Sequence, residues 1–396
     1  MRKRNRSTRC VIYILVGAIF MLLVVLWISK DVNKTYTPIS IQNVDTLKVS
    51  SQKIKISWMD NYDNIVKQYI VKRRNPKIST SNWEVVQVIE SDMTIEEEVL
   101  SVEDVLANVS PQQYEYRVDV EVADKENYIA EDGKTVLASN VMICIDPGHY
   151  DGKNAVEGEE SYGYAEGDFT LEIALKLKEI LKEEYGIDAC MTRETGSITI
   201  NGYTDANLDK GHISLRGEYT AKEDCDLFVS IHTNANEENA NQYPTCMQPI
   251  GINKPIILVN TTGCVSETVI KVSNAIGTNL AKVSYEWGIA TVDSFTTVER
   301  GKVTEWTKEK NDMLDVPGTV YCRLGEDGDY YGVLKGAANV NKPGIIIEHG
   351  FHTVAEMRKE AMEGELKKAW AKADAYGIAY GFGFVSEIEM PKGDIR

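Results

Sequence analysis

The sequence contains no CxxC pair, no GxSxG motif, no internal repeat and no low-complexity tract. The first absence argues against a zinc site built from cysteines. The second argues against a serine hydrolase with a nucleophile elbow. Histidine is scarce, with five residues among 396, and basic residues are outnumbered by acidic ones, 43 to 60, for a net charge of −17. Because nucleic-acid binding needs a basic surface, this charge balance argues against a nucleic-acid partner.

The positive charge that is present is concentrated at the amino terminus. Residues 1–9 include five basic side chains, and residues 10–28 carry no charge. An uncharged run of this length is about what a helix needs to cross a bilayer, and the basic flank places the amino terminus in the cytoplasm. The alternative is a cleaved signal peptide, but the run is long for one and no small-x-small cleavage site follows. We therefore predict one transmembrane helix within residues 1–30, with the remaining chain outside the cell.

Six of the seven cysteines follow the uncharged run. Cys144 lies inside an apolar run and is expected to be a small core residue, as is Cys225 beside another such run. A disulfide between Cys246 and either Cys264 or Cys322 is conceivable from their positions, but the sequence alone does not pair them.

Two regions lie between the predicted anchor and the part of the chain that contains the candidate site residues. Residues 31–44 are polar without a clear period and are predicted to form a stalk. Residues 45–140 contain short runs of alternating apolar and polar residues, which predict a β-sandwich. The arrangement resembles a fibronectin type III domain, with Trp58 as the core tryptophan and Tyr114 or Tyr116 as the tyrosine of the penultimate strand. Such a module implies either a plain spacer or a site for a protein partner.

The pattern changes at residue 141. From there to residue 386, strand-like runs alternate with helical ones, which predicts an α/β domain with a mixed, mostly parallel sheet flanked by helices. Helices are expected over 168–185, 265–283 and 354–380, and residues 294–318 are expected to form a loop. Residues 387–396 are predicted to be a carboxyl-terminal tail.

Three compact apolar runs in this domain each end in a side chain that can bind or serve a metal ion. The runs 141–149, 226–232 and 344–348 end at His149, His232 and Glu348. Such runs are typical of buried strands in a parallel sheet. Open α/β sheets place their ligands beyond the carboxyl ends of the strands. The three ends therefore suggest a metal-centred hydrolytic site.

A fourth residue, Glu166, completes the set. Catalytic zinc usually has three protein ligands with water in the fourth position, and His149, Glu166 and His232 are a standard combination. A nearby carboxylate must then accept a proton and pass it to the leaving nitrogen, and Glu348 is placed for that role. Asp168 is a candidate helix cap or an acceptor for an imidazole N–H.

Each residue also has a simpler interpretation when taken singly. A histidine after an apolar run is more often structural than catalytic, and Glu166 alone would be a solvated carboxylate at a helix start. Glu348 differs, because a carboxylate directly after four apolar strand residues is expensive to bury without purpose. His212 is expected at the surface. His349 and His352 are expected either to line the substrate site or to orient the loop.

The segment from 141 to about 360 resembles the zinc-dependent N-acetylmuramoyl-L-alanine amidases of the Amidase_3 type. The matching pieces are IDPGH (145–149), the Glu of AEGD (165–168), MTR (191–193), LRGEYTAKEDCDLFVSIHTNAN (215–236) and GIIIEHGF (344–351). The resemblance implies that His149, Glu166 and His232 hold zinc. It further implies that Glu348 is the catalytic carboxylate and that the substrate is the peptidoglycan amide joining N-acetylmuramic acid to L-alanine.

The sequence departs from the family pattern at three places. The family usually has Lys after the ligand glutamate, where this chain has Gly167. Its loop after the first histidine is usually rich in glycine, where this chain has Tyr150-Asp151-Gly152. The stretch 237–335 is longer than usual. These departures leave the four central residues intact and affect the loops that set substrate preference.

The expected protein is a single-pass enzyme of the cell membrane, with its catalytic domain outside and facing the cell wall. One alternative is a zinc peptidase acting on wall peptides, since the same donor set serves peptidases. The other is a non-catalytic cell-wall-binding or assembly scaffold in which the β-sandwich contacts a partner.

Overall fold

The computed structural model describes residues 35–60, 62, 65–78, 82–91, 98–235, 253–261, 266–290, 300–306 and 319–395, together with Met21. No helix among these residues combines the length and the apolarity that crossing a bilayer requires. Apart from Met21, the predicted anchor lies outside the described residues. So do Cys246, Cys264 and most of the predicted loop 294–318.

The amino-terminal part of the described chain is rich in β-structure, as predicted. Its strands are β1 (Thr37–Ile39), β2 (Val44–Ser50), β3 (Lys53–Asp60), β4 (Val66–Arg74), β5 (Glu84–Glu90), β6 (Glu98–Val105), β7 (Gln113–Val122), β8 (Tyr128–Ala130) and β9 (Val136–Ser139). They form an antiparallel sheet β2–β3–β6, an antiparallel sheet β5–β4–β7–β9 and the pair β1–β8. Alternate residues of both larger sheets enter one core, which includes Trp58, Tyr69 and Tyr116.

The predicted stalk over 31–44 is wrong from residue 37 onward. Strand β1 pairs in parallel with β8, and strand β2 begins at Val44. Ile39 and Ile41 are buried in the β-rich core. Two isoleucines in a polar stretch are too few to reveal a period, so only tertiary contacts identify this segment as part of the β-rich region.

A seven-stranded sheet forms the centre of the second part of the chain, in the order β11–β10–β14–β20–β15–β17–β16. Its strands are β10 (Met142–Pro147), β11 (Asp188–Met191), β14 (Leu227–Asn234), β15 (Ile256–Val259), β16 (Thr304–Glu305), β17 (Val320–Cys322) and β20 (Gly344–Phe351). Neighbouring strands are parallel except β15 and β20. The predicted mixed, mostly parallel sheet is therefore confirmed. Two small hairpins are added by β12 (Thr199–Ile200) with β13 (Tyr203–Thr204) and by β18 (Leu324–Gly325) with β19 (Gly328–Asp329).

Helices flank this sheet, as the alternating pattern predicted. They are α1 (Glu166–Tyr185), α2 (Ala206–Gly211), α3 (Ser214–Lys222), α4 (Glu267–Glu286), α5 (Gly332–Asn339), α6 (Ala355–Glu363) and α7 (Leu366–Gly381), with 3₁₀ turns at Glu159–Ser161 and Lys392–Asp394. Helix α7 packs against both α1 and α4, and α3 packs against α5.

Two predictions for the carboxyl-terminal part need correction. The single helix expected over 354–380 is two helices, because the chain becomes extended at Gly364. The predicted tail 387–396 is not a tail, since Met390 and Ile395 are buried in the main core. The Asn279 side chain on α4 holds this segment by accepting a hydrogen bond from Met390 N and donating one to Ile388 O.

Candidate metal centre

Three polar side chains from different elements meet at the carboxyl ends of β10 and β14. His149 follows β10, Glu166 is the first residue of α1, and His232 lies near the end of β14. One nitrogen or oxygen of each lies within 4.8 Å of the others. The two imidazole ring centroids are 4.9 Å apart and the ring planes are nearly perpendicular, at 87°. The structure thus brings together the three residues that the sequence singled out as a ligand set.

Glu166 lies between the two imidazoles. Its Oε1 is 3.1 Å from His232 Nδ1 and its Oε2 is 3.4 Å from His149 Nε2. Thr233 N and Asn154 Nδ2 also donate hydrogen bonds to this carboxylate. Burial opposes its ionisation, but the hydrogen bonds from His149 and His232 outweigh burial and hold the pKa of Glu166 well below its usual range. The side chain is therefore a buried anion, which suits a cation ligand.

His149 is held by carboxylates on both sides of its ring. Its Nδ1 lies 3.4 Å from Asp209 Oδ2, opposite the nitrogen that faces Glu166. Burial alone would lower the pKa of His149, but hydrogen bonds with Asp209 and Glu166 outweigh it and raise the pKa to about 9. Two imidazoles beside buried negative charge form a donor set that fits a divalent cation.

Glu348 lies beside this set on the next strand. It is directly opposite His232 in the parallel register of β14 and β20, so the two side chains share one face of the sheet. Its Oε2 is buried and has no hydrogen-bond partner among the residues that the structure describes. Burial, reinforced by the negative charge of Glu166, raises the pKa of Glu348 well above its usual range. A buried carboxyl oxygen without a partner, beside a ligand set, is an unusual feature that points to a functional role.

The turn before His149 is tight and strained. His149 has φ of 61°, a left-handed conformation that is unfavourable for a residue other than glycine. At Gly148 a Cβ atom would overlap the His232 ring and lie 2.6 Å from Ile231 O. The glycine of the IDPGH segment is therefore required by the close approach of the two histidine-bearing strands.

Two buried arginines stabilise this turn by donating hydrogen bonds to it. Arg216 on α3 donates to Asp146 Oδ1 at 2.9 Å and to His149 O at 2.7 Å. Arg193 donates to Gly148 O at 3.1 Å. Both arginines belong to segments quoted for the family resemblance, MTR and LRGEYT, which is the sequence signal for them, although no role was predicted for either.

The partner of the His149 imidazole is Asp209, not Asp168. The Asp168 carboxylate instead accepts a hydrogen bond from Gly152 N at 2.8 Å. Arg216 fixes Asp209 by donating to its Oδ1 at 3.0 Å. Nothing in the sequence marks Asp209, because it lies in a polar stretch far from His149 along the chain.

The remaining histidines have structural surroundings. His349 is fully buried, with Nε2 2.8 Å from Asp374 Oδ2. His352 is also buried and its Nδ1 lies 3.1 Å from Thr233 Oγ1. Of the two roles left open for this pair, these contacts favour orientation of the strand ends. His212, expected at the surface, is partly exposed and stacks on Tyr203.

The departures at Gly167 and at Tyr150 are linked. A Cβ atom at Gly167 would overlap the carbonyl oxygen of Tyr150. With this path of the loop after His149, a lysine cannot follow Glu166. The glycine at 167 therefore accommodates the backbone of this loop.

The fold and the donor cluster define a class: an α/β protein with a candidate metal centre at the carboxyl ends of its parallel strands. Residues 143–380 match the family described as N-acetylmuramoyl-L-alanine amidase, Amidase_3. The chain belongs to this family, and its membership supports peptidoglycan amidase activity. No curated protein matches the chain.

Several solved structures resemble parts of the chain. N-acetylmuramoyl-L-alanine amidase AmiC2 of Nostoc punctiforme is 18% identical, with 61% of this chain and 97% of that chain covered and a TM-score of 0.37. The CwlD amidase of Clostridioides difficile, solved in complex with the GerS lipoprotein, is 19% identical, with 62% and 100% covered and a TM-score of 0.40. A fibronectin type III domain of human collagen XX is 16% identical, with 26% and 94% covered and a TM-score of 0.20. Since these TM-scores are below 0.5, the family assignment rests on the family match.

Proposed function

We propose that this protein is a zinc-dependent N-acetylmuramoyl-L-alanine amidase that hydrolyses the amide between N-acetylmuramic acid and L-alanine in peptidoglycan. Family membership supports the reaction. The observation that carries the proposal is the approach of His149, Glu166 and His232 to within 4.8 Å. On the neighbouring strand, Glu348 Oε2 is buried without a partner among the described residues.

In this proposal His149, Glu166 and His232 hold the zinc ion. When bound, zinc supplies Lewis acidity that polarises the amide carbonyl and activates water. Asp209 fixes the orientation of the His149 ring, and Thr233 N and Asn154 fix that of the Glu166 carboxylate. These contacts pre-organise the donors so that little rearrangement is needed on binding.

Glu348 is proposed as the group that moves the proton. It accepts a proton from the attacking water and delivers it to the nitrogen of L-alanine, which leaves as a free amine. A carboxyl whose pKa is raised by burial is suited to both roles near neutral pH. Its Oε2 has no hydrogen-bond partner among the described residues and is therefore available to the reacting groups.

The test is digestion of purified peptidoglycan by the zinc-loaded full chain and by the Glu348→Gln variant. The proposal expects new amino termini on alanine and intact N-acetylmuramic acid from the wild type. It expects a loss of activity on the order of 10²–10⁴-fold in the variant, the usual contribution of a general acid–base. Zinc content should be unchanged. Glu179→Gln, an exposed position on α1, is the matched control and should retain full activity.

Either of two outcomes would reject the assignment. Cleavage inside the stem peptide, without a free alanine amino terminus, would show a peptidase instead. Full activity in Glu348→Gln would show that Glu348 does not take part in the reaction. The ligand set is tested separately, by measuring the zinc content of Glu166→Gln.

We further propose that the protein is anchored in the cell membrane by one helix within residues 1–30, with its catalytic part facing the cell wall. The support is the uncharged run 10–28 behind a basic amino terminus. Sequencing the amino terminus of the mature protein tests this, and a start near Thr35 would refute it.

For the β-rich region, predicted over 45–140 and extended by β1 to residue 37, we propose a fibronectin type III-like domain, joined to a zinc amidase domain that begins near residue 141. Two sheets around one core support this, with Trp58 against Tyr69 at 5.5 Å between ring centroids. Tyr116 in β7 donates to Asp104 at 2.6 Å, which is consistent with the expected core tyrosine. Whether this domain binds a protein partner is tested by co-purification with and without it.

A further inference from the structure

Three cysteines form a cluster that the candidate metal centre does not use. Their sulfur atoms all lie within 4.8 Å of one another, although the residues are far apart in sequence. Cys144 on β10 lies directly opposite Cys190 on β11 in the parallel register. Cys225 lies between α3 and β14, and its N–H donates to Thr220 O in the last turn of α3. The absence of CxxC pairs concealed this cluster, because the sheet and not the sequence brings the thiols together.

Two of these thiols are in contact. Cys190 Sγ and Cys225 Sγ are 3.2 Å apart. That distance is shorter than the roughly 3.8 Å expected between two thiolates that share one tetrahedral zinc ion, given Zn–S bonds of about 2.3 Å. Structural zinc sites also take four ligands, and no fourth donor joins the three thiols among the described residues. The geometry therefore favours a pair of sulfurs over a metal site.

We propose that Cys190 and Cys225 are a redox-active pair that forms a disulfide, with Cys144 as a third thiol that assists and is not consumed. The bridge would join the edge strand β11 to the segment between α3 and β14, where Cys225 N–H is bonded to Thr220 O in the last turn of α3. Helix α3 also carries Arg216, so the bridge would fix the element that supports the turn at His149.

The surroundings assign different roles to the three sulfurs. Cys144 and Cys225 are fully buried, whereas Cys190 is partly exposed and is the one that an external reagent can reach. Hydrogen bonds from Cys144 and Cys225 lower the pKa of Cys190 to about 4. A thiolate that is partly exposed and stabilised by neighbouring thiols is the expected entry point for thiol–disulfide exchange.

The proposed reaction has two exchange steps and needs an external disulfide such as oxidised glutathione. The Cys190 thiolate attacks one sulfur of that disulfide, and the other half leaves as a thiolate. Cys225 then attacks the Cys190 sulfur and gives its proton to the departing second half, which leaves as a thiol, while the first half takes a proton from water. Two protein thiols are oxidised to one disulfide, and one external disulfide is reduced to two thiols.

The experiment equilibrates the reduced full chain with oxidised glutathione, blocks remaining thiols by alkylation, and maps the peptides without reduction. A cross-linked peptide pair containing Cys190 and Cys225 is expected. Closing this loop should raise the Tm by roughly 5–15 °C over the reduced protein. The Cys190→Ser and Cys225→Ser variants should show neither the link nor the rise in Tm, and Cys144→Ala should form the link more slowly.

Cys322→Ser is the matched control, because Cys322 is a free thiol on β17, four strands away from β10 in the sheet. It should behave as the wild type. Three results would overturn the proposal: complete alkylation of Cys190 and Cys225 in the oxidised wild type, a disulfide that contains Cys144, or stoichiometric soft metal bound by the reduced chain and lost in Cys190→Ser. None of these readouts uses peptidoglycan, so the result is independent of the proposed amidase activity.

Discussion

At the scale of single residues, the candidate centre depends on where each carboxyl group obtains its hydrogen bonds. Glu166 is fully buried and ionised because two imidazoles and Thr233 N donate to it. Glu348 is only partly buried as a residue, but its Oε2 is buried without a hydrogen-bond partner among the described residues, and desolvation raises its pKa. The two glutamates therefore have pKa values shifted in opposite directions. The lowered pKa suits Glu166 to binding a cation, and the raised pKa suits Glu348 to carrying a proton.

This difference predicts how stability depends on pH in the metal-free protein. The pKa of Glu348 is raised on folding, so its contribution to stability is present below its unfolded value of about 4.3 and is lost as pH rises through the folded-state pKa. Glu348→Gln removes the ionisable group. The variant should therefore be more stable than wild type, by an amount that grows as pH rises above about 4.3 toward the raised folded-state pKa.

Thermal unfolding in the presence of a chelator measures this effect, with roughly 2–4 °C expected for each kcal/mol. Glu179→Gln, which is exposed, should follow the wild type at every pH. Parallel pH profiles for wild type and Glu348→Gln would show that the Glu348 carboxyl is not destabilised by burial.

A second prediction at this scale concerns Arg216, which donates a hydrogen bond to the turn at His149. Arg216 is 1% exposed and pairs with Asp146, which is fully buried. Arg216→Met should destabilise the protein by about 3–5 kcal/mol, because it leaves a buried carboxylate without its cation. Urea unfolding measures the loss. Arg300→Met, which removes an exposed ion pair with Glu389, should change stability by at most about 1 kcal/mol.

At the scale of elements, the site is built where strands β10, β14 and β20 end and where helix α1 begins. The parallel register places Glu348 opposite His232, and the left-handed turn at Gly148-His149 directs the first histidine back over the same edge. Helix α3 stabilises this turn through the hydrogen bond that Arg216 donates to His149 O. The carboxyl-terminal segment has a comparable supporting role for helix α4 through Asn279.

Because residues 387–396 pack against the core, we expect their removal to destabilise the protein. Removing residues 387–396 exposes the surface that Met390 and Ile395 cover, and each buried side chain contributes about 1.5–3 kcal/mol. The truncated chain should therefore lose several kcal/mol in urea unfolding. Lys392→Ala, a change at an exposed position in the same segment, should have little effect. Unchanged stability after truncation would restore the interpretation of this segment as a tail.

At the scale of the whole molecule, the β-rich region is joined to the α/β region by buried polar contacts. Lys48 on β2 donates through Nζ to Asp226 Oδ2 and to Asp224 O, each at 2.8 Å. Its backbone N–H donates to Asp188 Oδ2 at 2.6 Å. All three acceptors lie near the amino ends of β11 and β14, so the β-rich region contacts the sheet at the end opposite the candidate metal centre.

This contact predicts coupled unfolding of the two regions. Lys48→Met should destabilise the chain by about 1–3 kcal/mol, less than a fully buried pair because Asp226 remains 32% exposed. Calorimetry of the full chain should show a lower Tm and partial separation of one transition into two. Lys55→Met, at an exposed position on β3, is the control. An unchanged single transition would mean that Lys48 does not couple the regions.

The sequence by itself determined the α/β pattern, the β-rich region before it and the four residues of the candidate centre, because strand ends, helix starts and family motifs are local features. Only the tertiary structure decided that Asp209 and not Asp168 faces His149, that Arg216 and Arg193 hold the turn, and that Met390 belongs to the core. It alone brought Cys144, Cys190 and Cys225 together. Such contacts join residues that are distant along the chain, and they arise from the register of the sheet and the packing of helices on it, which no local pattern encodes.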